Sequence, residues 1–92
     1  MAALIESDEL VSDVAELDRQ ASQHYRSGEY DLAIEVLRKV YGYRLEILGS
    51  EHEDVLLNLN NLGAALGRNG LLKEAEEAFR DAMHVSLSLE EL

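Results

Sequence analysis

Few folds are open to a chain that repeats itself, and this one does so at an interval of 42 residues. That shift lays Leu17 on Leu59, Arg26 on Arg68, Gly28 on Gly70, Ala33 on Ala75, Glu35 on Glu77, Arg38 on Arg80 and Leu45 on Leu87. Conservative matches fall in the same register, with Ala21 over Gly63, Leu37 over Phe79 and Val40 over Ala82. Such self-similarity marks units that stack, because a single unit cannot bury its apolar side alone and a neighbour must cover it. The 92 residues hold two units and, given that domains usually run to roughly 100–200 residues, only one domain.

The units are helical. The chain has no proline, the strongest helix breaker, so its six glycines carry the punctuation. Gly28 after Arg26-Ser27 and Gly70 after Arg68-Asn69 each follow a base in a last turn and predict helix ends. Leu48-Gly49-Ser50 predicts a third break, with Ser50 and Glu53 forming an S-x-x-E capping box for the next helix. Apolar residues keep helical spacing in between: Ile34, Leu37, Tyr41, Leu45 and Leu48; then Val55, Leu59, Leu62 and Leu66; then Leu72, Ala75, Phe79 and Ala82. The first helix is marked more weakly, by Val14, Leu17 and Ala21, and is expected to start between about residues 6 and 13, after a frayed tail. The expected fold is all-α, with four helices paired into two hairpins. Residues 1–12 form a flexible acidic segment or helix extension, and 13–92 the domain. Small residues at Gly63, Ala75 and Ala82 are expected to let helices approach closely, with Phe79 filling space between the pairs.

Leu59, Leu62-Gly63, Leu66, Gly70, Ala75, Phe79 and Ala82 resemble the large and small positions of the tetratricopeptide repeat. The stretch from His52 to Phe79 is similar to the 42-residue version found in kinesin light chains. Repeat one spans 14–47 and repeat two 56–89. The first is atypical, with Gln20 and His24 where the family has apolar residues, and reads as an end cap; Glu53 stands where the family has an opening proline. The resemblance implies a short α-α solenoid whose first helices line a concave groove for extended or helical peptides. Carried onto the matching positions, the partner-binding face holds Asp18, Ser22, Tyr25 and Arg26 in repeat one and Leu57, Asn60, Asn61, Ala64 and Arg68 in repeat two. Asn60 and Asn61 match the family's paired asparagines, whose amides both donate and accept and so suit a peptide backbone. Some relatives clamp an acidic C-terminus with a lysine and an asparagine one turn apart; Asp18 with Ser22 and Asn60 with Ala64 stand at those positions, so the clamp is not expected.

Sites for chemistry are not evident. His24, His52 and His84 lie on separate helices or helix ends, none with a second histidine or a cysteine at ligand spacing, and no metal or cofactor is expected. The acids around Glu74, Glu76, Glu77 and Asp81 read as a solvated face, with Glu76 and Glu77 at pairing distance along the helix from Arg80. The Asn58, Asn60 and Asn61 run ahead of the Gly63-x-x-x-Gly67 spacing argues for close soluble packing over a membrane interface. No phosphate-binding glycine loop is present.

Charge narrows the partners. With 19 acids against 8 bases the net charge is -11, which repels nucleic acid and anionic membranes and favours neutral or basic protein segments. The chain has no cysteine, no basic n-region at its start and no long apolar run, so it is expected to be soluble and cytoplasmic. The expected function is non-enzymatic protein–protein interaction, as an adaptor or scaffold acting through the concave face. The alternative is self-assembly into a homo-oligomer through the solenoid ends, where Val85, Leu87 and Leu89 have no evident internal partner.

Overall fold

Four helices in sequence form two antiparallel hairpins: α1 (Ala2–Arg26) with α2 (Tyr30–Leu48), and α3 (Glu53–Arg68) with α4 (Leu72–Glu90). The computed structural model describes the backbone of residues 2–91 and the side chains of 13–91, and no strand occurs among them. α1 begins at Ala2, so a helix runs through the acidic segment, for which either a flexible stretch or a helix extension was expected.

The two hairpin turns are built alike, and the reason is local. Gly28 and Gly70 take left-handed φ values of 78° and 81°. Each ends its helix in the same pair of backbone bonds: Glu29 N to His24 O (2.8 Å) with Gly28 N to Tyr25 O (3.1 Å), and Leu71 N to Leu66 O (2.9 Å) with Gly70 N to Gly67 O (3.1 Å). This is the Schellman arrangement, which satisfies carbonyls a helix end would leave open. The expected capping box does not form. Residues 50–52 are spent in bends, which carries Ser50 too far upstream, and the α3 cap is His52, whose Nδ1 accepts from Asp54 N at 3.0 Å.

The core falls into two clusters along the stack. Ala21 of α1, Ala33, Ile34 and Leu37 of α2, Leu62, Ala65 and Leu66 of α3, and Ala75 and Ala78 of α4 pack at the turn end. Val55, Leu59, Ala82 and Val85 form the second, with Tyr41, Leu45 and Leu89 half-buried against them. Val85 and Leu89 therefore do have internal partners, contrary to expectation, because α4 turns their side toward α3; Leu87 alone of the three stays exposed. Phe79 does not fill a space between the pairs. Its ring lies on Gly63 in its own hairpin, so close that a Cβ at Gly63 would come within 2.7 Å of it, and it is 44% exposed. Arg80 pairs with Glu76 (3.3 Å) and not with Glu77.

α2 packs against both α1 and α3, and α4 against α3. The Cα envelope measures 44 × 35 × 16 Å. The surface of 6238 Å² is larger than the roughly 5,400 Å² of a rounded monomer of this mass, as befits a thin stack with open ends.

Candidate functional site

α1 and α3 stand on the same side of the stack with α2 behind them, and a groove of about 610 Å³ runs between. Its floor is apolar: Ala21 and Leu37 are buried there, and Ala64 and the more exposed Leu57 line the α3 side. Polar groups converge on it from both walls, Asp18, Ser22, Tyr25 and Arg26 from α1 and Asn61 from α3. Helical spacing explains the alignment, since 18, 22 and 25 share one face of α1 while 57, 61 and 64 share one face of α3.

Behind the groove lies a polar knot that ties three helices together. Arg44 of α2 pairs with Asp18 of α1 through both guanidinium nitrogens, Nη1 donating to Oδ1 at 3.3 Å and Nη2 donating to Oδ2. The same Nη1 donates to Asn58 Oδ1 of α3 at 3.1 Å, and Asn58 Nδ2 donates back to the Leu37 carbonyl of α2 at 3.1 Å. Asn58 is 1% exposed and is the buried polar residue of the core, yet it is fully partnered. A buried amide without partners would cost about 1–3 kcal/mol, so the knot sets the relative placement of α1, α2 and α3.

Tyr25 is held edge-on against Tyr30 at the start of α2, with ring centroids 5.4 Å apart. Arg26 lies back along α1, its Nε donating to the Ser22 carbonyl at 3.4 Å. Asp18 is offset by Arg44, so the groove lining carries a net positive charge from Arg26 although the whole chain is strongly acidic.

Seven of the nine residues expected to bind a partner, Asp18, Ser22, Tyr25, Arg26, Leu57, Asn61 and Ala64, are brought together here. Asn60 is exposed on α3 and turned away from the lining, and Arg68 is exposed at the C-terminal end of α3, beyond it. Arg44, Leu37 and Ala21 join the lining without having been anticipated, as does Asn58 behind it. The readable signal was a polar residue on an otherwise apolar face, Arg44 beside Leu37 and Tyr41, and Asn58 between Val55 and Leu62. A second depression of about 600 Å³ runs along α1, but only α1 and Ser27 just after it line it, so it grips nothing from two sides. Among the described residues no group of three histidine, aspartate or glutamate side chains gathers to hold a metal ion, and no helix is long and apolar enough to cross a membrane.

Stacked hairpins with matching Schellman turns and a groove between first helices define a repeat architecture, and a family model for the tetratricopeptide repeat matches residues 13–86. The chain belongs to the tetratricopeptide repeat family. Repeats of this family mediate protein–protein interaction and form a non-enzymatic interaction fold. The match spans α2 and α3, most of α4, the second half of α1 and every residue of the groove of this tetratricopeptide repeat domain. No curated protein and no solved structure matches the chain.

Proposed function

We propose that the chain is a recognition module that holds a peptide segment of a partner protein in the groove between α1 and α3. The observation that carries this reading is the convergence, over an apolar floor, of polar groups from two helices that the Arg44 knot holds in register. An apolar side chain of the partner rests on Leu57, Ala64 and Leu37. The Asn61 amide and Ser22 hydroxyl bond its backbone, and Arg26 takes a carbonyl or a single carboxylate. A neutral segment fits best, because the groove is mildly cationic while the surrounding surface repels an acidic chain. No bond is made or broken.

The test is selection of short peptides from a random displayed library, followed by titration of the selected peptides against variants. Leu57→Ala with Asn61→Ala is expected to weaken binding tenfold or more, at about 1.4 kcal/mol per decade. Asn60→Ala with Arg68→Ala is expected to leave it within twofold. Equal binding by the wild type and the Leu57/Asn61 variant would remove the groove as the docking surface.

A further inference from the structure

α2 and α4 hold equivalent places in their hairpins, but only α2 is covered. Leu37, Tyr41 and Leu45 are buried or half-buried with α3 against their helix; their counterparts 42 residues on, Phe79, Met83 and Leu87, are 44, 64 and 52% exposed. Leu72, 70% exposed, extends the row along the same face of α4. Four large apolar side chains in line on a helix form the kind of surface that another helix buries.

We propose that α4 of a second copy covers this face, the two helices running antiparallel about a two-fold axis near Phe79 and Met83. The covered interface inside the molecule is the precedent. α2 and α3 are consecutive helices that pack antiparallel, and two α4 helices related by a two-fold axis meet with the same relative direction. Among the described residues, stacking head to tail lacks a complement. At the other end of the stack Asp13, Glu16 and Gln20 stand where α3 has the buried Val55, Asn58 and Leu62, and all three are polar and exposed. The α4 row, by contrast, is complementary to itself.

Charge permits the contact despite the acidity of the chain. Glu76 is paired with Arg80 (3.3 Å) and Glu74 with Arg38 (2.5 Å), so two of the acids on α4 are already neutralised. Lys73 makes no ion pair among the described residues, and with Phe79 of one copy beside Met83 of the other it comes level with the Glu90 end of the opposing helix. This interface is separate from the groove, and α4 variants are expected to bind selected peptides as the wild type does.

Because the chain has no cysteine, a single introduced thiol reports the geometry. By sedimentation at tens of micromolar the wild type is expected at twice the 10.3 kDa chain mass, and Met83→Glu at the chain mass with unchanged helical circular dichroism. Under mild oxidation Met83→Cys mixed with Phe79→Cys is expected to link into a covalent dimer, because these two positions face each other across the axis, and Gln20→Cys alone to remain single. A monomeric wild type overturns the proposal. So does a Met83→Cys chain that links only when mixed with Gln20→Cys, which would mean head-to-tail stacking. The thiol experiment stands whether or not Met83→Glu folds.

Discussion

Asn58 accepts a hydrogen bond from Arg44 Nη1 at 3.1 Å from inside the core, where it is 1% exposed. It also donates to the Leu37 carbonyl, so one amide joins α3 to α2 twice. Asn58→Ala is expected to lower unfolding free energy by about 1–3 kcal/mol in urea melts, since the buried partners lose bonds and a small cavity opens. Asp18→Ala touches the same knot, but the Asp18 side chain is 37% exposed and the Arg44–Asn58 bond survives. Its cost is expected to be about 1 kcal/mol or less.

Gly63 and Phe79 are coupled. Alanine in the middle of a helix is worth about 1 kcal/mol over glycine, but a Cβ at Gly63 would meet the Phe79 ring at 2.7 Å. The exposed ring can swing aside, at about 0.5–1.5 kcal/mol for leaving its rotamer and more for lost contact. Gly63→Ala is therefore expected to give no gain in the wild type and a gain of about 1 kcal/mol in a Phe79→Ala background. A double-mutant cycle by thermal or urea unfolding reads the difference.

Burial first, and the nearby Asp81 carboxylate second, push the Tyr41 phenol above its ordinary value of 10.0. A group whose folded value is raised contributes stability that is fully present below its unfolded value and is lost as pH rises through the folded one. Stability is thus expected to fall above about pH 10, and less so in Tyr41→Phe, as followed by circular dichroism against pH. Asp81→Asn is expected to bring the Tyr41 ionisation, read as tyrosinate absorbance, back toward the ordinary value.

His52 and Ser50 compete in the sequence for the cap of α3, and only His52 bonds to it. His52→Ala is expected to cost about 0.5–2 kcal/mol in a denaturant melt. Ser50→Ala is expected to stay within about 0.5 kcal/mol of the wild type, as an exposed residue without a structural bond should.

The parts of this molecule that depend on near neighbours could be read from the residues. Gly28 and Gly70 stop helices through bonds to residues three to five positions away, and the apolar faces follow from helical spacing alone. The groove was accessible only in part: the 42-residue register carries Ser22 onto Ala64, but it carries Asp18 and Arg26 onto Asn60 and Arg68, which lie outside the lining, because facing walls present different sides of equivalent helices. Asn60 is rotated just off the face that lines the groove, and Arg68 lies past its end. Arg44 and Asn58 stand out as polar residues on apolar faces, but their pairing with each other and with Asp18 was out of reach, because the partners are 14 and 26 residues apart and meet only once three helices have packed. The cap of α3 was misread because a short motif says nothing about how many residues the preceding bend consumes.

α2 packs against both walls of the groove, while those walls, α1 and α3, scarcely touch each other among the described residues. The gap between them is then set by the tilt of each wall on that shared backing helix. Filling the gap and bending the stack are one motion, so a ligand that props it open and a force that flexes α2 must each change the free energy of the other by the same amount.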